Sequence, residues 1–141
     1  MPISMSNTIT VSAIIGVDPV TAWKVWTTPE DIKQWCFASD DWGVGDVEND
    51  VRIDGHFKTH MMAKDGSAGF DFTGVYTTVE PGKKLCYTLD DGRTVEITFE
   101  DQGGKTLVTE TFEMENENSE ELQRSGWQAI LDSYKRHAEL T

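Results

Sequence analysis

The sequence predicts an α+β fold, in which a curved seven-stranded antiparallel sheet wraps around a long C-terminal helix, with two short helices after the first strand. Three observations predict it. Apolar residues alternate in segments of strand length, turn residues separate these segments, and the longest helical pattern comes last. A sheet with one apolar face needs a cover, and the last helix is the only predicted element long enough to supply it.

The first strand and two short helices are predicted from alternation and from capping residues. Residues 8–15 alternate apolar and polar side chains and are rich in β-branched residues. Asp18 followed by Pro19 predicts the start of a helix, and Thr28 followed by Pro29 predicts another. Helices this short must lie on a larger surface. Their predicted apolar faces hold Ala22, Val25, Trp26, Ile32, Trp35 and Cys36.

The region from about residue 44 to residue 114 consists of strands and turns. Its predicted turns carry Asp-Gly, Pro-Gly or Gly-Gly pairs, at residues 54–55, 65–66, 81–82, 91–92 and 103–104. Between these turns apolar side chains occupy every second position. This spacing is typical of an antiparallel meander with one buried and one solvated face.

The last predicted element is an amphipathic helix that ends near residue 139. Asn118 and Glu121 fit the two positions of a capping box at its start. Its apolar face holds Leu122, Trp127, Ile130, Leu131, Tyr134 and Ala138. A sheet curled around this helix need not close tightly at every edge. We therefore expect a cavity between the helix, the sheet and the two short helices.

The candidate ligand-binding residues are large apolar or aromatic side chains with a few polar groups, as is usual in ligand pockets. The three tyrosines among them would supply hydroxyl groups as polar contacts. The candidates are Trp35, Phe37, Phe57, Met61, Phe70, Phe72, Tyr76, Tyr87, Trp127, Leu131 and Tyr134.

Length and charge narrow the class of protein. The chain has 141 residues, which suits a single domain, and we expect residues 1–7 to be a flexible N-terminus. Its formal net charge of −13 argues against nucleic acid and against anionic membrane surfaces as partners. No apolar run is long enough to span a membrane and no signal peptide is visible, so we expect a cytoplasmic protein.

No cofactor or metal site is predicted. Cys36 and Cys86 are expected to be reduced and partly buried. His56 and His60 fall on a predicted strand, where their rings would be about 13 Å apart and could not share a zinc ion. The acids at 46, 48, 50 and 54 lack the spacing of a calcium loop and are interpreted as a solvated face.

Two carboxylates fall in apolar strand segments and leave alternatives open. Glu110 shares its phase with Val108 and Phe112. Either it points inward as a cavity carboxylate, or it is exposed or paired with a base such as Arg93. Asp71 is the other candidate. The sequence contains no nucleophile, phosphate-binding or dinucleotide-binding motif.

The order of elements resembles the helix-grip fold of the SRPBCC, or START-like, superfamily. Within it, the chain resembles the branch named after the C-terminal domain of the activator of the ninety-kilodalton heat-shock protein ATPase. The resemblance covers about residues 8–140. It is carried by residues 25–30 (VWTTPE) with Trp35, residues 72–76 (FTGVY), residues 79–85 (VEPGKKL) with Tyr87 and Thr88, and Gly126 and Trp127 with Leu131 and Tyr134.

The residues and the resemblance together allow three functions. The first is binding of a small, mostly apolar molecule in the cavity, without a cofactor. The second, implied by the resemblance, is a chaperone-associated or other protein-interaction module. The third is a cyclase- or hydrolase-type enzyme that uses a cavity acid or histidine, and the sequence leaves enzyme activity uncertain while favouring none. An exposed sheet edge also allows a homodimer.

Overall fold

The computed structural model describes residues 8–140, so the expected flexible segment 1–7 lies outside the described residues. The elements follow the predicted order. They are β1 (Thr8–Ile15), α1 (Pro19–Thr27), α2 (Pro29–Trp35), β2 (Trp42–Asn49), β3 (His56–Ala63), β4 (Gly69–Glu80), β5 (Lys84–Leu89), β6 (Thr94–Asp101), β7 (Thr106–Glu113) and α3 (Glu120–Leu140).

The seven strands form one antiparallel sheet in the order β1-β7-β6-β5-β4-β3-β2. The sheet curls into a half-barrel around α3, which confirms the predicted α+β, helix-grip architecture. Strands β2 to β7 follow one another as a meander, and β1 pairs with β7 and forms the edge opposite β2. The concave face therefore carries the core, and its inward positions determine what meets α3.

The two short helices are separated at Thr28. The Asp18 side chain accepts a hydrogen bond of 2.8 Å from the Thr21 N–H and so caps α1. The Thr28 hydroxyl donates to the Lys24 carbonyl at 2.6 Å and makes no side-chain cap for α2. Thr28 thus ends one helix and begins the next, and the turn between them directs both onto α3.

The start of α3 differs from the expected capping box. Ser119 caps the helix, since its hydroxyl accepts a 3.1 Å hydrogen bond from the Leu122 N–H. The Asn118 side chain instead donates to Glu115 Oε2 at 3.1 Å. The expected Asn118–Glu121 pair was therefore wrong by one residue, because Asn118 stabilises the connection from β7 rather than the helix end.

In the predicted turn at residues 54–55, the aspartate rather than the glycine has a positive φ angle. Asp54 has a φ of 69° and takes the left-handed conformation that the second residue of such pairs usually adopts. Gly55 is required for space, because a Cβ atom there would lie 2.1 Å from the Asp50 carbonyl oxygen. The turn leads directly into β3, which forms one wall of the cavity described below.

The C-terminal half of α3 holds the short helices against the sheet. Leu131, Tyr134 and Ala138 are fully buried there. The Tyr134 hydroxyl donates a 2.6 Å hydrogen bond to the Ala22 carbonyl of α1. His137 of α3 contacts Asp31 of α2 at 2.9 Å. None of the helices in the described part of the chain is both long enough and apolar enough to span a membrane.

Candidate functional site

A cavity of about 360 Å³ lies between the curved sheet, α2 and the N-terminal half of α3. Helix α3 contributes to it at helical spacing, β3 and β4 contribute inward-facing residues, and β5 contributes Tyr87. Eight of the predicted ligand-binding residues lie on its wall: Trp35, Phe57, Met61, Phe70, Phe72, Tyr76, Tyr87 and Trp127.

Three predicted residues do not lie on this wall. Leu131 and Tyr134 are on the same face of α3 as Trp127 but further along the helix, where α1 and β1 pack closely. The Tyr134 ring contacts Trp26 and Trp35, with ring centroids 4.8 Å and 5.0 Å away, so it lies one layer beyond the wall. Phe37 is half-buried after α2, and its neighbour Cys36 lines the cavity instead.

Sequence reasoning missed several wall residues. Leu122, Gly126 and Ile130 repeat every four residues around Trp127, so helical spacing could have found them. Nothing in the sequence marks Asn49 or Gln123, because both come from segment ends whose placement depends on the whole fold. The remaining wall residues are Trp26, Ile32, Cys36, Thr59, Arg93, Glu110, Glu115 and Asn118.

Glu110 is the acidic group in the interior of this site. It lies on β7 between Val108 and Phe112, at an inward-facing position, and is only 4% exposed. Its partners across the sheet are Val11 on β1 and Ile97 on β6, both buried. Four apolar side chains therefore surround the carboxyl group on the sheet, and its open side is the cavity.

Among the described residues, Glu110 makes no hydrogen bond or ion pair. Its carboxyl oxygens keep some accessible surface, since no fully enclosed side-chain oxygen in residues 8–140 lacks a partner. Burial alone raises the pKa of Glu110 to about 8, because an isolated carboxylate is costly in an apolar surrounding. Pairing with Arg93 does not occur. Arg93 donates to Asp91 at 2.8 Å and to the Glu113 carbonyl at 3.4 Å. Of the two sequence alternatives, the cavity carboxylate is the correct one.

The other acid and the histidine pair lie outside the cavity. Asp71 is exposed and contacts His60 at 2.8 Å and Lys58 at 3.7 Å, which holds the pKa of that carboxyl below its usual range. His56 and His60 both lie on β3, as expected for a polar strand face. Within residues 8–140, no group of three or more His, Cys, Asp or Glu side chains is arranged to hold a metal ion.

Two hydroxyl groups on the cavity wall are also without partners among the described residues. Thr59 on β3 and Tyr87 on β5 are 5% exposed, line the cavity and make no side-chain hydrogen bond within the described chain. Burial, and after it the negative charge of Glu110, raises the pKa of Tyr87. The interior thus offers one carboxyl and two hydroxyl groups to an occupant.

Other polar wall groups are occupied by the protein itself. The Tyr76 hydroxyl donates to Asn49 Oδ1, and Asn49 Nδ2 donates to the Thr27 carbonyl at 2.7 Å. Gln123 donates to the Asn118 carbonyl at 2.9 Å and accepts from the Glu115 N–H at 3.0 Å. These bonds position β2, α1 and the β7–α3 connection around the cavity, which leaves Glu110, Tyr87 and Thr59 for binding.

Both cysteines are free, and the one on the wall is chemically quiet. Burial and then the nearby Glu110 charge raise the pKa of Cys36 to about 12. Because the thiolate is the nucleophilic form of cysteine, Cys36 stays protonated and unreactive at neutral pH. The titratable wall group with a pKa near neutrality is therefore the Glu110 carboxyl rather than the Cys36 thiol.

Comparison with known proteins identifies relatives with this fold. The family model described as Activator of Hsp90 ATPase homolog 1-like protein matches residues 17–139. The solution structure of an AHSA1-like protein from Aeromonas hydrophila is 42% identical, with a TM-score of 0.90, and the match covers 95% of this chain and 93% of that one.

Two further solved structures extend the likeness. Protein Chr148 of Cytophaga hutchinsonii is 44% identical, with a TM-score of 0.82 and coverage of 94% and 92% of the two chains. Protein CV1439 of Chromobacterium violaceum shares the fold at 22% identity, with a TM-score of 0.85 and coverage of 96% and 99%. No protein with a curated description matches the chain. The chain belongs to the family of Activator of Hsp90 ATPase homolog 1-like proteins.

Proposed function

We propose that this protein binds a small, mostly apolar molecule in the cavity between the curved sheet and α3. The observation that carries the proposal is a 360 Å³ chamber whose wall is mainly aromatic and aliphatic. This volume lies within the range of about 300–1,000 Å³ that is usual for small-molecule sites. A few polar groups within an apolar wall are also typical of such sites.

The layout of the wall supports access from outside. Phe70 is 50% exposed and Leu122 is 59% exposed, although both line the cavity. Both residues therefore connect the cavity wall with the surface of the protein. Trp35 and Tyr87 are almost fully buried and form the inner part of the wall. A ligand would enter past apolar side chains and reach the polar groups at the inner end.

The test replaces Gly126 with a larger residue whose side chain fills part of the cavity. This residue lies in the centre of the α3 wall face, with Leu122 and Ile130 four residues away on either side. A Cβ atom at Gly126 would meet no other atom within 4 Å, so a larger side chain can extend into the cavity. We expect Gly126→Leu to fold normally and to bind the neutral fluorescent probe N-phenyl-1-naphthylamine at least about tenfold more weakly than wild type.

The matched control is Ser125→Leu. Ser125 is the preceding residue, is exposed and does not line the cavity. This variant adds the same side chain and should retain wild-type probe affinity. Equal affinity in wild type and Gly126→Leu would show that the probe binds elsewhere. If folded wild-type protein raises neither the fluorescence of this probe nor its own melting temperature with a panel of apolar compounds, the proposal fails.

A second candidate, a cyclase- or hydrolase-type enzyme, is favoured by the cavity carboxyl of Glu110. General acid–base catalysis uses such a group when its pKa lies near the working pH. Within the described chain no second group hydrogen-bonds to Glu110 and orients it, which favours binding. Turnover of an ester or polyketide-like substrate by wild type, lost in Glu110→Gln, would favour the enzyme. The chaperone-associated role follows from the family likeness alone and stays a prediction.

A further inference from the structure

We infer that the cavity holds an apolar organic cation, whose ammonium group forms an ion pair with the carboxylate of Glu110 among aromatic rings. This inference rests on the proposed function and names the chemical class of its ligand. It starts from the carboxyl group of Glu110, which is buried, lines the cavity and makes no hydrogen bond or ion pair within residues 8–140.

The first argument is the missing partner. Buried charges in proteins are normally paired, because an isolated charge in an apolar surrounding is costly. The four neighbours of Glu110 on the sheet are the apolar side chains of Val11, Ile97, Val108 and Phe112. Within residues 8–140 no cation pairs with it, and Arg93 is bonded to Asp91 and to the Glu113 carbonyl. A bound ammonium group would supply the missing charge.

The second argument is the aromatic surrounding. Trp127 stacks on Phe112, with ring centroids 3.9 Å apart and an interplanar angle of 11°. Phe57 packs edge-on against Tyr87 at 4.8 Å. All except Phe112 line the cavity. Aromatic faces attract cations, and aromatic cages recognise ammonium groups in other proteins. The rings therefore suit both the apolar body and the charged group of such a ligand.

The third argument is the electrostatic field at the entrance. Apart from Glu110 itself, the segment from residue 111 to residue 121 contains five glutamates and no basic residue, and one of them, Glu115, lines the cavity. The whole chain carries a formal charge of −13. Such a field attracts cations and repels anionic ligands. Arg93 is the basic residue on the wall, and its guanidinium is already engaged.

The binding equilibrium then depends on pH in a defined direction. In the empty cavity the pKa of Glu110 is about 8, so the carboxyl group is mostly neutral at pH 7. Pairing with an ammonium group requires the ionised form, so the proton leaves Glu110 for solvent when the ligand binds. Affinity should rise about tenfold per pH unit between about pH 6 and 7.5 and level off above 8.

The titratable groups that face Glu110 do not obscure this dependence. They are Cys36 after α2, Tyr87 on β5 and Tyr134 on α3, and burial raises the pKa of each of them. All three stay neutral across the measured range. From β1 and β6, the facing residues are Val11 and Ile97, which do not titrate.

The experiment compares 1-naphthylmethylamine with 1-naphthylmethanol, which share a shape and differ in charge. By calorimetry, wild type should bind the amine at least about tenfold more tightly than the alcohol at pH 8, as expected for a buried charged hydrogen bond. Binding of the amine at pH 6.5 should release close to one proton. The alcohol should show neither effect.

Two variants complete the design. Glu110→Gln and Glu110→Met should lose the preference for the amine and its proton release, while the alcohol still binds within about threefold of wild type. Glu48→Gln, at an exposed position on β2, should behave as wild type. Equal affinity for amine and alcohol, or a preference that persists in Glu110→Gln, overturns the inference but leaves the proposed function intact. Tighter binding of the carbonyl probe 1-acetonaphthone than of the amine also overturns the inference and leaves the proposed function intact. It would show that the neutral carboxyl group of Glu110 donates a hydrogen bond to the ligand. If no naphthyl probe binds folded wild type, both fail.

Discussion

Glu110 is an acidic residue at a buried position of the sheet, where an ionised carboxyl group opposes folding. It occupies an inward position that Val, Ile or Phe would otherwise fill, between Val108 and Phe112. The sequence pattern placed it there, since the residue shares their phase. What the pattern left open was whether a basic residue would reach it, because Arg93 is separated from it by a turn and a strand.

The first prediction concerns stability and pH. Glu110 has a pKa of about 8 in the fold against 4.5 in a model peptide, so the unfolded chain loses this proton first as the pH rises. Its contribution to the free energy of unfolding therefore falls by about 1.4 kcal/mol per pH unit between about pH 4.5 and 8. Below and above that window the contribution is constant.

Glu110→Gln should remove this slope. We expect the variant to match wild type near pH 4.5 and to be several kcal/mol more stable at pH 8, by urea unfolding at a series of pH values. The exposed Glu48→Gln substitution serves as the control and should follow wild type throughout. A constant difference between Glu110→Gln and wild type across this range would contradict the account.

The second prediction separates two buried tyrosines. Tyr134 donates a hydrogen bond to Ala22, whereas the Tyr87 hydroxyl lines the cavity and has no partner in the described part of the chain. Tyr134→Phe should lower the free energy of unfolding by about 1 kcal/mol and leave probe binding unchanged. Tyr87→Phe should keep the free energy of unfolding within about 0.5 kcal/mol of the wild-type value and should change the affinity for the probe. Chemical unfolding and fluorescence titration measure the two effects, and a reversed pattern would show that the roles are exchanged.

At the scale of elements, α3 has two functions along its length. Its first turns line the cavity through Leu122, Gly126 and Ile130, while Leu131 and Ala138 further along are fully buried in the core. Periodicity predicted the face of this helix correctly. It did not distinguish the two halves, because that depends on where α1 and α2 pack, and this is why Tyr134 was expected on the wall.

The third prediction concerns the contact between α2 and α3. His137 and Asp31 are 2.9 Å apart, and their side chains are 22% and 24% exposed. A double-mutant cycle with His137→Gln and Asp31→Asn should give a coupling energy of about 0.5–1 kcal/mol in thermal unfolding. The exposed pair of Arg124 and Glu120 within α3 should give less. A coupling no larger than in this control pair would mean that other contacts hold α2 in place.

For the whole molecule, the element order and the sheet followed from alternation and turn residues, while the size of the cavity did not. Volume depends on how far the sheet curls and on side chains such as Asn49 that join distant segments. The sheet has two edge strands, β1 and β2, and an edge strand can pair with a second copy of the chain. The expected homodimer stays a prediction. The net charge could be taken directly from the sequence.

The fourth prediction follows from that charge. With 25 acidic and 12 basic residues, the folded chain experiences repulsion between its own carboxylates. Raising potassium chloride from about 0.02 M to 0.5 M shortens the Debye length severalfold and should raise the melting temperature at pH 7. Chloride is preferred to sulfate, which also stabilises proteins by exclusion. An unchanged or lower melting temperature would show that attractive ion pairs outweigh the repulsion.

The division of α3 into a chamber-facing half and an anchoring half has a consequence for variation among related chains. Substitutions near Leu122 and Gly126 can change the shape of the cavity, while the hydrogen bond of Tyr134 keeps α3 attached to α1. Related chains can therefore differ in the shape and lining of the cavity while they keep the same packing between α3 and α1.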